Sequence, residues 1–154
     1  NTTSTAFSRM IDMIGVNPIF SSAIRLLIAQ RLVRRLVDHT KEAYEPDEAT
    51  RKYVQRVLEK LPPDVEKPDL DNFKLWRPVP SEDAPFVYKG RVVIMEQLVV
   101  TDEIQKFIRG DVQDVHPETI EETARNEGML TLEQVGVLAA LRGETTLEEI
   151  ARVI

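Results

Sequence analysis

The chain contains no cysteine in 154 residues. That excludes disulfides, thiolate catalysis and cysteine-ligated zinc within it. It has only two histidines, His39 and His116, and neither stands in an HxxxH or HxxE arrangement that would assemble a metal site on one helix. It also lacks a Gly-rich loop followed by Lys-Ser/Thr and lacks GxGxxG, so a nucleotide phosphate site cannot be completed from these residues. No apolar run reaches the length of a membrane span, and no signal-peptide pattern opens the chain.

What is present is 42% apolar and 30% charged, the balance of a soluble globular protein with one real core, or of one small subdomain with an appendage. The chain opens at Asn1 rather than at a methionine, which raises the expectation of a piece of a longer polypeptide. The net charge of −6 is unevenly spread. Residues 1–45 hold six Lys/Arg against four Asp/Glu, and residues 46–154 hold fourteen against twenty-two. The basic character is confined to the surroundings of Arg25, Arg31, Arg34 and Arg35, too narrow a stripe for a nucleic-acid binder.

The most apolar and most basic stretch is Ile28-Ala29-Gln30-Arg31-Leu32-Val33-Arg34-Arg35-Leu36-Val37. Ile28, Leu32 and Leu36 recur every four residues, with Val33 and Val37 beside them, and this periodicity predicts a helix. Strand alternation is imperfect, because those three share a face with Gln30 and Arg34. The valine-rich Arg91–Val100 reads instead as a mostly buried strand.

Around these, helix punctuation is plentiful. Thr3-Ser4-Thr5 offers N-cap hydroxyls to a short amphipathic helix that Gly15 ends, and Asn17-Pro18 restarts a helix through about Leu26. A third helix is predicted over Asp47–Leu61, with Asp47 as cap and Pro62-Pro63 as stop. Six of the nine prolines lie between Pro62 and Pro85, so this segment reads as a stiff extended connector rather than a core element. The last third is expected to be a small helical bundle. Thr101-Asp102-Glu103 opens a helix that Gly110 ends, Pro117 and Gly128 bracket another, and Thr131-Leu132-Glu133-Gln134 and Thr146-Leu147-Glu148-Glu149 match the capping box.

Candidate chemistry is sparse. His39 near Asp38 and Glu42 reads as a loop histidine before it reads as a metal ligand, and His116 before Pro117 reads as a helix cap. The pairs Glu121-Glu122 and Glu148-Glu149 read as solvated helix faces and first-turn charges rather than catalytic carboxylates. The arginine group remains, because a guanidinium presented from a structured segment binds a phosphate or a neighbour's carboxylate bidentately. Its alternative is an element edge with arginines in solvent.

Several stretches, taken in order, resemble the C-terminal part of the ATPases that power type II secretion and type IV pilus assembly. They are Arg9-Met10-Ile11-Asp12-Met13, Ile28 through Leu36, Lys41-Glu42-Ala43-Tyr44-Glu45-Pro46, Tyr88-Lys89-Gly90-Arg91 through Glu96, Val100 through Ile104, Gly128 through Leu132, and Gly143 through Glu149. The resemblance implies a cytoplasmic hexameric motor with a RecA-like P-loop NTPase core that binds ATP and Mg2+. Its phosphate loop, acidic boxes and catalytic glutamate would lie before Asn1, which takes the place of the histidine box's terminal Asn. This chain, without Walker A or Walker B, would then be inactive alone.

The resemblance also implies a division. Residues 1–45 would end the RecA-like core, 46–86 would form a helix and a Pro-rich insert, 87–100 a returning core strand, and 101–154 a C-terminal helical subdomain. It turns the second half of the opening stretch into a strand beside Arg91–Val100. It points to Gln30, Arg31, Arg34 and Arg35 as intersubunit or nucleotide-proximal contacts, within a homo-hexamer that docks on inner-membrane platform proteins.

Many members of that family hold zinc with two Cys-x-x-Cys pairs in a module between the two strands. Here Val37 and Thr40 stand at the first pair and Ser81 and Ala84 near the second, so no zinc is expected. Phe73, Trp76, Phe86 and the prolines are expected to hold the module, at roughly 1.5–3 kcal/mol for each large side chain buried. Ile14 looks like a one-residue insertion, and Val135 stands where an aspartate is common. The other reading is a stand-alone helical interaction module without catalytic activity.

Overall fold

Hydroxyl and carboxamide caps set the helix starts in the computed structural model, which describes residues 2–154. Thr2 accepts the Thr5 N–H and opens α1 (Thr3–Ile14), one residue before the expected hydroxyl cluster, and Gly15 closes it at φ +72°. Asn17 accepts from the Ile19 and Phe20 amides and opens α2 (Pro18–Ala23). After β1 (Leu26–Leu36) and the short β2 (Glu42–Tyr44), Asp47 caps α3 (Glu48–Leu58). Then come β3 (Leu75–Arg77), β4 (Tyr88–Val99) and α4 (Asp102–Arg109), the last capped by Thr101 and ended by Gly110 in the left-handed region. Three helices follow: α5 (Pro117–Asn126), α6 (Leu132–Leu141) and α7 (Leu147–Val153). The chain is therefore α/β, with two two-stranded sheets, β1 with β4 and β2 with β3.

The helical periodicity of Ile28–Val37 is overturned. The stretch is strand β1, hydrogen-bonded to β4 as the family resemblance implied. The preceding helix ends at Ala23, short of the expected Leu26. The Val100 N–H donates to the Arg25 carbonyl at 2.9 Å, placing the end of β4 beside the start of β1. Along β1, burial alternates every second residue up to Arg34, with Leu27, Ala29, Arg31 and Val33 on the more buried side. Ile28 and Leu32, two of the residues whose spacing suggested a helix, lie on the outward side and are 53% and 45% exposed. The four-residue spacing was real, but only Leu36 of that set is buried. In β4, Ile94, Glu96 and Leu98 alternate inward, as a half-buried strand requires.

The chain divides into two compact units, with two of the three division points inside strands β1 and β4 and the third at the start of α6. The first runs up to Ala29 and adds Met95–Thr131. Its core brings Phe7 and Ile11 of α1 together with Leu98, Ile104, Phe107, Ile108, Ile120 and Met129. Each large side chain so buried contributes about 1.5–3 kcal/mol against exposure. Glu96 of β4 is buried here and accepts the Thr3 N–H at 2.9 Å and the Thr3 hydroxyl, so a strand carboxylate answers an orphan amide at the start of α1.

The second unit is Gln30–Ile94 with Leu132–Ile154. One cluster joins Val54 and Leu58 of α3 to Phe73, Leu75, Val137 and Ala140. Another joins Val33, Ile94, Leu132 and Ile150. Gln134 is buried and donates its Nε2 to the Val57 and Lys60 carbonyls at 3.2 Å, satisfying acceptors at the end of α3. At Gly136, a Cβ would meet Ile150 Cγ2 at 2.8 Å, so α6 and α7 pack as closely as a missing side chain allows.

Two expectations about the Pro-rich segment are corrected. It is not only a connector, because Phe73 and Leu75 enter the core and β3 pairs antiparallel with β2 in the register Glu42↔Arg77, Ala43↔Trp76 and Tyr44↔Leu75. Leu75–Arg77 lies between Pro68 and Pro78, a window with no proline to interrupt a ladder. Phe86 does not hold the module, being 83% exposed. Trp76 instead lies under the Lys41 ammonium, 4.9 Å from the ring centroid.

Candidate functional site

Strand β1 carries all four arginine-stretch candidates, Gln30, Arg31, Arg34 and Arg35, and the structure sends them to different places. Arg31 donates its Nε to the Val153 carbonyl at 3.0 Å, closing an orphan acceptor at the end of α7, and an NH1 hydrogen to the Gln30 carbonyl at 2.8 Å. Gln30 is exposed. Arg35 faces Asp38 at 3.7 Å with both side chains largely in water, a pair worth little. Arg34 is the anchored member. Its backbone N–H donates to Glu149 Oε2 at 2.9 Å, and its Nε and NH2 donate to Glu149 Oε1 at 3.0 and 2.6 Å. Its carbonyl accepts the Thr145 hydroxyl at 2.8 Å, and its guanidinium stacks on Tyr88 at 4.4 Å.

Glu149 corrects the reading of Glu148-Glu149 as first-turn charges in solvent. Glu148 is exposed, but the Glu149 side chain is only 3% accessible. The capping threonine behaves as expected, since the Thr146 hydroxyl accepts the Glu149 N–H at 3.2 Å. The carboxylate, however, turns to β1, and its Oε2 also accepts from Arg152 at 3.0 Å. Burial is the largest single influence on this carboxyl and pushes its pKa up. The hydrogen bonds from Arg34 and Arg152, with the Arg34 amide and charge, outweigh burial together and bring it down to about 2. The same hydrogen bond raises the Arg34 pKa, so both partners stay ionised.

These contacts open onto a cleft of about 530 Å³ lined by Leu32, Arg34, Arg91 and Arg152. Arg91 comes from β4 and Arg152 from α7, and nothing in the local sequence of either marks it. They are separated by 61 positions and meet only through the pairing of β1 with β4 and the docking of α7. The Arg91 guanidinium has no hydrogen-bond or ion-pair partner among the described residues. The arrangement can bind and orient an anion. It contains no nucleophile and no acid and base poised against each other.

The remaining candidates are structural. His39 Nε2 lies 2.9 Å from Asp83 Oδ2, linking the two segments that hold Val37, Thr40, Ser81 and Ala84. The Asp83 carboxyl is held below its usual range by the Ser81 hydroxyl and then by His39. His116 occupies the N-cap position of α5 without a side-chain cap bond; Asp114 accepts instead from the His116 N–H and the Thr119 hydroxyl. Among the described residues, no three His, Cys, Asp or Glu side chains come together as metal ligands. Among the described residues, no helix is long and apolar enough to cross a membrane.

Residues 1–152 match the family model described as type II/IV secretion system protein. The chain is 36% identical over 155 residues to type II secretion system protein E of Xanthomonas campestris pv. campestris, covering 99% of this chain and 25% of that protein. It is also 36% identical to the type IV pilus assembly ATPase PilB of Pseudomonas aeruginosa, with the same coverage. Against PilB of Thermus thermophilus the identity is 37%, over 97% of this chain and 16% of that protein. The chain thus spans a quarter or less of the length of these relatives. A match that runs through the paired strands, the arginine stretch and the terminal helices alike leaves one assignment: the chain belongs to the type II/IV secretion system protein family.

Proposed function

We propose that the chain is the C-terminal portion of a hexameric cytoplasmic ATPase that powers type II secretion or type IV pilus assembly. The observation that carries this reading is the match over nearly the whole chain to relatives named as such machines, each at least four times as long as the part matched. In it, β1 and β4 are closing strands of a RecA-like core, the segment 46–86 is an insert between them, and residues 101–154 form a helical appendage. The motor works on the cytoplasmic side, docked on inner-membrane platform proteins.

ATP and Mg2+ would be held outside these residues. The donor set here does not fit them, because the phosphate loop with its Lys-Ser/Thr is absent and no carboxylate cluster gathers to hold a cation among the described residues. What this chain supplies is position. Arg31 and Arg34 fix α7 to β1, and Gln30 and Arg35 are left toward a neighbouring subunit or its nucleotide. Two substitutions separate these roles in the longer protein. Arg35→Ala should leave the thermal midpoint of the chain nearly unchanged, at a cost within about 0.5 kcal/mol, and should lower ATPase rate or hexamer formation. Arg31→Ala should lower stability as well. Unchanged turnover and assembly in both variants would remove the contact assignment.

The missing phosphate loop also favours a second reading, a stand-alone interaction module derived from such a motor. Determining the coding sequence upstream of Asn1 separates the two. A Gly-x-x-x-x-Gly-Lys-Ser/Thr loop is expected, and an open reading frame without one would overturn the motor.

A further inference from the structure

We propose that the cleft lined by Arg34, Arg91 and Arg152 binds a phosphate-class oxyanion. The three guanidinium groups come from β1, β4 and α7, and with Leu32 they line one open volume of about 530 Å³. That size lies within the usual range for small-ligand sites. The site is built rather than incidental because its floor is a buried carboxylate. Glu149 accepts from Arg34 through Oε1 and from Arg152 through Oε2, so two of the three arginines are held by their inner donors. Each remains more than half exposed, at 55% for Arg34 and 54% for Arg152, and so presents further N–H groups to the cleft. Stacking on Tyr88 fixes the Arg34 plane in addition.

Charge selects the ligand. The lining holds three positive charges against the one negative charge of Glu149, a net +2 on a chain whose total is −6. Arg91 is the uncompensated member, with no partner among the described residues. A side-chain carboxylate has two oxygens and one charge, and Glu149 shows that two arginines already satisfy it. Donors converging from three elements suit an ion with three or more oxygens and two charges, which is phosphate or the end of a polyphosphate. The same chemistry can come from inorganic phosphate, pyrophosphate or a nucleotide's phosphate tail. All three arginines belong to this chain, which holds no phosphate loop of its own, so the cleft stands or falls without the motor reading.

The test is titration of the chain with inorganic phosphate, pyrophosphate, ADP without Mg2+, and glutarate, followed by NMR of the arginine Nε–H signals. Saturable shifts are expected at Arg34, Arg91 and Arg152, with pyrophosphate binding at least about tenfold tighter than glutarate and weakening as salt rises. Arg91→Gln should weaken pyrophosphate by about tenfold with an unchanged thermal midpoint, because its guanidinium has no partner to lose. ADP equal to pyrophosphate identifies the phosphates alone as the ligand, and ADP tighter than pyrophosphate identifies a nucleotide. No saturation up to about 10 mM, equal binding of glutarate, or an Arg91→Gln variant with full affinity would each overturn the site.

Discussion

Each unit buries a carboxylate where the first turn of a helix meets a strand, and the two arrangements exchange the roles of helix and strand. In the first, the acid belongs to the strand: Glu96 of β4 accepts the Thr3 N–H and hydroxyl at the start of α1. In the second, the acid belongs to the helix: Glu149 in the first turn of α7 accepts the Arg34 N–H of β1 and two guanidinium groups. A carboxylate near a helix N-terminus is favoured from either side, because the orphan amides and the macrodipole act on charge wherever it is attached. What differs is the output. The Thr3 contacts end in a buried threonine, whereas the Glu149 contacts hold two half-exposed arginines in one cleft.

The largest effect that would sharpen this comparison is expected from Glu149→Ala, which strips partners from one backbone amide and two guanidinium groups. It should cost about 3 kcal/mol by urea denaturation, since bonds to charged groups are the strong ones and a buried donor is left unmade. A cost below about 1 kcal/mol would break the claim that Glu149 organises the second unit.

Acid titration comes next. The folded Glu149 carboxyl sits at about 2, below the 4.5 of a free glutamate. Its contribution is therefore present above about pH 4.5 and lost as pH falls toward 2, a change of about 3 kcal/mol. Urea midpoints of the wild-type chain and Glu149→Gln, measured from pH 6 to pH 2, should converge at the acid end. Parallel curves would mean that Glu149 is not held ionised by its arginines.

A glycine in each unit extends the comparison. Gly136→Ala forces a Cβ to 2.8 Å from Ile150 Cγ2, and overpacking of this kind costs about 1–3 kcal/mol, less the small gain in helix propensity. Trimming the neighbour in the double variant Gly136→Ala with Ile150→Val should recover part of the loss. Gly110→Ala meets a left-handed φ of +81° and Val16 Cγ2 at 2.9 Å, and its cost of about 1–2 kcal/mol should not be relieved by trimming Val16 alone. Full recovery with Val16→Ala would show that space, not backbone conformation, holds that glycine.

The smallest effect is expected from Thr3→Val, which removes one hydroxyl donor to Glu96 and keeps the backbone one. It should cost about 1 kcal/mol in thermal denaturation. A loss matching Glu149→Ala would erase the difference between the two carboxylates.

The legible part of this molecule is the part decided by neighbours in sequence. Asn17-Pro18, Asp47, Thr101, Thr146 and Gly110 mark the ends of helices where their chemistry says they should, because capping satisfies amides and carbonyls within three or four residues. The strand pairing of the arginine stretch was reached through family resemblance, while its own spacing pointed to a helix. Ile28 and Leu32 misled because they sit on the outward side of β1, and apolar spacing reports a face only when that face is the buried one. Phe73 and Leu75 were hidden among prolines whose density suggested an extended tether, although three proline-free residues suffice for a ladder.

The candidate site divides in the same way. The sequence by itself determined that arginine is the available chemistry, since it offers no thiol, no phosphate loop and no gathered histidines. It pointed to Gln30, Arg31, Arg34 and Arg35 together and gave no means to choose among them. Only the tertiary structure decided that Arg34 meets Glu149, and that Arg91 and Arg152 stand beside it. The physical reason is range. A cap or a turn is satisfied locally, whereas the value of a charge depends on which distant charges and how much water the fold leaves around it.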